Sequence, residues 1–346
     1  MSETTLTEFL EGAGASLRIL DMGRRVVKVG RNAFLKFEQT VNPWPAPLVR
    51  QAWFGMLMQN NELPEPLIWF LRLPLDEQGK LVLASRDYFI HRLIEAWQLK
   101  QQNESGEITD ALKDNPYVFK PREDRMAVFH AKASVMMKQK PSRFYEHAQT
   151  YFNGEHGWEQ WSFVGYQGIA DVACRHAADP LDTAIPNLPV QPLVALCHCL
   201  ESQVIGESLR SALCTRLTDT LRDRPEEIGT LAALVRALAS RSTTEAVQQV
   251  LRTLLTTPSG RNIEVLAAIS GRAWEALDDR TTRYAYLAAL ANNDHGQAAF
   301  ARCISDLLSV PAVAQSVREA LRADDQDTAV RAAFAAMTTA PASTRD

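Results

Sequence analysis

Leu193-Val-Ala-Leu-Cys-His-Cys-Leu-Glu-Ser202 and Leu231-Ala-Ala-Leu-Val-Arg-Ala-Leu-Ala-Ser240 are one decad written twice. A unit that recurs at intervals of about 35 residues announces stacked helical hairpins, because one hairpin cannot bury its apolar face alone. The helix starts and stops around the decads agree with that spacing. Starts are spelled at Pro225-Glu-Glu, at Ser242-Thr-Thr-Glu245 (a capping box) and at Asp294-His-Gly-Gln297. Breaks are spelled at Pro258-Ser-Gly260, Asn292-Asn293 and Val310-Pro311. They divide the region into hairpins 190–222, 225–256, 261–292 and 295–322 and a terminal helix 326–338. Residues 166–338 are therefore expected to form an all-α HEAT-like helical repeat, an α-solenoid, with 339–346 as a disordered tail.

Upstream the chain uses different residues. All nine lysines lie at or before Lys140, and 22 of the 27 aromatic residues lie at or before Tyr166. Residues 1–120 read as a small α+β domain, and 121–165 as connecting helices. Thr5 to Glu11 fits a short helix stopped by Gly12 and Gly14, and Ser16 to Asp21 alternates as a strand. Asn32 can cap a helix through Gln39. Val41-Asn-Pro-Trp-Pro-Ala-Pro47 suits only polyproline II. Ala52 to Met58 and Leu67 to Leu73 read most simply as two antiparallel strands, although the first run also fits a helix. Leu81 to Leu99 spells an amphipathic helix with Phe89, Leu93, Ala96 and Trp97 along one stripe. Lys100 to Asp114 reads as a polar loop. Pro121 with Glu123 and Asp124 opens one helix, and a second runs from near Ser142 through Phe152.

Charge limits the function classes. Residues 1–160 carry 20 basic and 20 acidic side chains, and 161–346 carry 17 and 21, so neither half has the cationic excess that drives counterion release from nucleic acid. The start is acidic and amphipathic, unlike a secretory signal, and no apolar run approaches the roughly 20 residues of a membrane span. The five cysteines follow no disulfide spacing, and the expected compartment is the cytoplasm.

Several clusters resemble chemistry, each beside a plainer reading. Cys197-His-Cys199, with Cys174, His176 and Cys214, is the one metal-like spelling. The decads, however, align Cys197 with Val235 and Cys199 with Ala237, which makes them small apolar slots. Neither a metal nor a cofactor is expected. Asp87, His91 and Glu95 line one helix side, which a solvated polar face does equally well. His147, between Phe144 and Tyr151 at helical spacing, falls at least on the edge of an apolar face. Lys120 to Arg143 is basic and interleaved with Tyr117, Phe119, Phe129, Phe144 and Tyr145, a composition that can grip single-stranded nucleic acid. Trp158 and Trp161 read as a packing anchor or, if exposed, as a partner hot spot. No phosphate-binding glycine loop, Walker sequence, H-E-x-x-H, C-x-x-C or G-x-S-x-G is present.

Leu20-Asp-Met-Gly-Arg-Arg25, Ile68-Trp-Phe-Leu-Arg-Leu-Pro-Leu-Asp-Glu-Gln-Gly79, Asn115-Pro-Tyr-Val-Phe-Lys-Pro121, Tyr145-Glu-His-Ala-Gln149 and Gly157-Trp-Glu-Gln-Trp161 resemble an uncharacterised bacterial family, domain of unknown function 3549. The resemblance implies soluble proteins of about this length and brings no activity or assigned site. On physical grounds, Arg24 and Arg25 leave one strand end and Asp76 and Glu77 another; at the same end of a sheet, guanidiniums and carboxylates would face each other. The expected function is an adaptor or scaffold holding a protein partner on the array. The alternatives are an enzyme or enzyme subunit built around Arg24, Arg25, Asp76 and Glu77, and an RNA-associated factor using residues 120–143.

Overall fold

The structure is a computed structural model that describes residues 4–60, 66–102, 114–177 and 181–339. The chain divides into two compact units, Met1–Phe129 and His130–Asp346.

The first unit is built on a four-stranded antiparallel sheet ordered β2-β1-β3-β4. Its strands are β1 (Ser16–Asp21), β2 (Val27–Val29), β3 (Gln51–Gln59) and β4 (Leu67–Pro74). Register sets Ile19 opposite Met56 and Met56 opposite Trp69. Three helices, α1 (Leu6–Gly12), α2 (Arg31–Glu38) and α3 (Leu83–Gln102), contribute Leu6, Leu10, Phe34, Phe37, Phe89 and Leu93 to a core that includes Ile19, Phe54, Met56 and Leu71 of the sheet. The opposite sheet face is also covered. Gly55 lies under the Phe129 ring, where an added Cβ would come within 2.5 Å of a ring carbon. A sheet buried on both sides has no reason to alternate polar and apolar residues. That is why the β3 run also fits a helix by pattern alone.

Local chemistry explains the departures from expectation. α2 begins at Arg31 with Gly30 at its N-cap and no side-chain cap, so Asn32 lies inside the helix rather than capping it. The proline-rich stretch is no polyproline spacer: Trp44 is fully buried among Phe34, Phe37 and Phe54, and its amide donates to Gly79 O at 2.8 Å. Leu48 and Gln51 exchange backbone hydrogen bonds around Val49 and Arg50, both left-handed at φ 51° and 55°. Two such residues in a tight hairpin normally call for Asn or Gly, and a β-branched residue pays strain there. α3 extends through Gln102, so the expected polar loop begins no earlier than the next residue; 103–113 and the Trp97 side chain lie outside what the structure describes.

After α4 (Glu123–Met136), which crosses the boundary of the units, the chain is helical. It continues as α5 (Tyr145–Phe152), α6 (Tyr166–Arg175), α7 (Val190–Leu200), α8 (Glu207–Asp223), α9 (Ile228–Ala237) and α10 (Glu245–Leu255). The remaining helices are α11 (Ile263–Arg272), α12 (Arg280–Ala291), α13 (Gly296–Leu308), α14 (Pro311–Arg322) and α15 (Thr328–Thr339). Each of the four stretches read from the sequence as a hairpin holds two of these helices. One layer stacks α7 on α9, α9 on α11 and α11 on α13; a second stacks α8 on α10 and α10 on α12. Hydrogen bonds between hairpins repeat at nearly the sequence period: Ser259 Oγ donates to Pro225 O (2.7 Å) and Thr282 Oγ1 to Gln248 Oε1 (2.5 Å).

Two helix starts differ from their spelling. α10 begins at Glu245 behind Thr244, without the Ser242 capping box. Asp294 does not cap α13 but accepts from Ile263 N (2.9 Å) and Asn262 Nδ2 (2.7 Å), tying successive hairpins. Among the described residues no helix is long and apolar enough to cross a membrane. The tail 340–346 lies outside the described residues.

Candidate functional site

Strand direction brings the two family turns to one end of the sheet, since Asp21 pairs with Phe54 and Pro74 with Gln51. The side chains go separate ways. Arg24 is fully buried, its Nε donating to Pro47 O at 2.8 Å. Arg125 Nη2 donates to Arg24 O at 2.8 Å. Asp21 accepts from Gly23 N at 2.7 Å. Burial pushes the Asp21 carboxyl up to about 7, against the pull of the Gly23 amide and the Arg125, Arg24 and Arg25 charges. Arg25 is half-buried. Asp76 is exposed and turns its carboxylate onto its own loop, accepting from Gln78 N (2.8 Å) and Lys80 N (2.9 Å), and Glu77 is exposed beside it. An acceptor used by two backbone amides is a turn-former.

Trp158 and Trp161 belong to the 3-10 helix Trp158–Phe163, none of whose six residues is buried. Gly154, at φ 76°, ends α5 and leaves room for the Trp158 indole, since a Cβ there would stand 3.3 Å from its ring. Tyr151 fixes Trp158 twice: its ring meets the indole edge-on at 5.6 Å, and its hydroxyl donates to Trp158 O at 2.9 Å. Burial pushes that hydroxyl's pKa up to about 12, with Glu159 adding to the shift. Trp161 and Phe163 point outward, 37% and 71% exposed. Phe144, also exposed, approaches Gly165 just beyond them, and the Arg143 guanidinium lies 4.9 Å above its ring. So Trp158 latches the segment, Trp161 and Phe163 are left exposed on it, and Phe144 with Arg143 over its ring is exposed near Gly165. Phe163 escaped the sequence reading, and Phe144 entered it as one aromatic of the basic stretch, because only tertiary packing decides which aromatics stay outside.

A second constellation joins α4, α6 and the end of α7. Lys132 Nζ donates to Gln203 Oε1 (3.0 Å), and Gln203 Nε2 donates to Cys174 Sγ (3.1 Å). Beside it, buried Asp171 accepts from Arg175 (3.1 Å) and Ser142 N (3.1 Å), and Arg175 also reaches Ser134 Oγ (2.9 Å). Burial lowers the Lys132 pKa and raises that of Cys174 to about 11. A thiol held protonated is a poor nucleophile, so this network works as polar packing between helices.

The remaining candidates are placed as follows. Cys197 and Cys199 are fully buried, as are Val235 and Ala237, and burial pushes the Cys197 thiol up to about 12. Among the described residues no group of three or more His, Cys, Asp or Glu is arranged to hold a metal ion. His91 pairs with Glu95 at 3.1 Å on the helix exterior, whereas Asp87 pairs with Arg86 at 2.6 Å. His147 is exposed and faces His156, 5.6 Å between ring centroids, rather than bordering the core. Of the aromatics interleaved with the basic stretch, Phe129 is fully buried and Phe119 packs edge-on against Trp53 and Phe70.

No curated protein and no solved structure matches this chain. A family model described as "Protein of unknown function (DUF3549)" matches residues 2–338, nearly the whole length. The chain therefore belongs to the DUF3549 family.

Proposed function

We propose that the protein is a cytoplasmic adaptor or scaffold that holds a protein partner on a HEAT-like helical solenoid. The observation that carries this reading is the Trp158–Phe163 segment, which presents Trp161 and Phe163 to solvent on a latched backbone. Tryptophan is enriched in binding hot spots, and a rigid aromatic loses little entropy when a partner covers it. The two helical layers and the near-periodic bonds between hairpins support the solenoid assignment.

The enzyme reading gains no support from Arg24, held on Pro47 O, or from Asp76, spent on its own turn. Single-stranded RNA needs several exposed stacking platforms; of the aromatics in the basic stretch Phe129 and Phe119 are engaged in packing, and Phe144 is the exposed one.

The test places a photo-crosslinking amino acid at position 161 in the native host and identifies adducts by mass spectrometry. One recurring protein adduct, lost in Phe163→Ala, is the expected result. Absence of any recurring adduct, or one indifferent to Phe163, counts against the reading.

A further inference from the structure

The helical unit contains a groove of about 310 Å³ that the aromatic segment does not touch. Its floor is Gly229, Ala232 and Ala233 of α9 with Ala267 and Ala268 of α11. Gly229 lines it alongside Glu264 and Arg236 alongside Arg272, offsets of 35 and 36, so the two helices run parallel and in register.

This arrangement separates charge along the groove. At the C-terminal end, Arg236 and Arg272 both approach one oxygen of Glu201 through Nε, at 2.6 and 3.2 Å. Glu201 is buried behind them, whereas the two arginine side chains are each about one-fifth exposed. Two guanidiniums share that one carboxylate and both side chains line the groove, so this end offers arginine donors to a ligand. At the other end Glu264 is exposed in the first turn of α11. From Glu264 to Arg272 is about 12 Å at the helical rise, a distance an extended chain covers in about four residues. The glycine and alanine floor lets a main chain lie close between the two ends.

We propose that this groove binds an extended segment of a protein partner bearing an acidic side chain and, three residues away, a basic one. The acid pairs with Arg236 and Arg272, and the base with Glu264. The inference names a partner chemistry for the adaptor reading but uses none of its aromatic residues, so the two can fail separately.

Purified full-length protein is titrated with blocked tetrapeptides by ligand-observed NMR: Asp-Ala-Ala-Lys, its reverse Lys-Ala-Ala-Asp, and the like-charged Asp-Ala-Ala-Asp and Lys-Ala-Ala-Lys. One mixed-charge order is expected to bind saturably and at least about tenfold more tightly than the others, a difference of about 1.4 kcal/mol. Ala267→Leu, at an exposed position, fills the groove and should abolish that binding while the far-UV CD melt stays unchanged. Glu264→Lys should move the preference to Asp-Ala-Ala-Asp. Equal binding of all four peptides, no saturable binding, or full binding by Ala267→Leu overturns the proposal. So does an unchanged preference in Glu264→Lys. Crosslinking at position 161 with no peptide binding would sink the groove alone, and the converse would sink the aromatic reading alone.

Discussion

Glu38 is a buried carboxyl with a structural task. It accepts from Leu6 N (2.8 Å) and Thr7 N (3.2 Å) and from the Thr7 hydroxyl, so one residue of α2 caps the buried first-turn amides of α1. Burial pushes its pKa up to about 7, with the Thr7 and Leu6 hydrogen bonds and the Arg86 charge opposing. The folded protein thus holds a proton that the unfolded chain releases near its ordinary value of 4.5. The associated stability is fully present below pH 4.5 and is lost as pH rises through about 7. The expected slope is about 1.4 kcal/mol per pH unit at most over that window. Glu38→Gln keeps an acceptor but cannot titrate, so urea midpoints of the variant should flatten there relative to wild type. Parallel pH profiles would refute the assignment. The pairing of Glu38 with Leu6, 32 positions away, could not be read from the sequence, where Glu38 is one polar residue at a helix end.

At the scale of elements, Glu201 ties three hairpins together. It follows α7, and its carboxylate holds Arg236 of α9 and Arg272 at the end of α11. Removing a buried member of such a set leaves its partners uncompensated, at a cost of about 3–5 kcal/mol when all are buried. Here the guanidiniums keep partial access to water, which reduces the loss to roughly 2–3 kcal/mol. Glu201→Gln should therefore lower the denaturation midpoint clearly, and a shift equivalent to less than about 0.5 kcal/mol would show that solvent already satisfies both arginines. The decad aligned position 201 with Ala239, an apolar slot, so the repeat pattern concealed this carboxylate. Its meaning depends on two arginines from later hairpins.

For the whole molecule, unfolding should not be one cooperative event. The first unit closes a sheet core, while the second stacks helices mainly on helices one or two places away along the chain. Stacking of that kind spreads stability along the helical unit, and two cores need not melt together. Scanning calorimetry is expected to return a calorimetric enthalpy above the van't Hoff value, with more than one component. A single transition with equal enthalpies would show that the units are energetically one.

Periodicity, helix breakers and the decad were enough to place most helices of the second unit, and alternation was enough for β1, because these signals come from neighbours along the chain. The same reasoning assigned Cys197 and Cys199 to apolar slots, and both are fully buried. Burial of an individual side chain depends on residues far away in sequence, and that is where tertiary structure decided. It turned Arg24 inward, curled Asp76 onto its own loop, buried Trp44 from within a proline-rich stretch and left Trp161 and Phe163 exposed. It also brought Arg236 and Arg272 together on Glu201. Local pattern specifies elements, whereas a surface or a charge cluster exists only after those elements have packed.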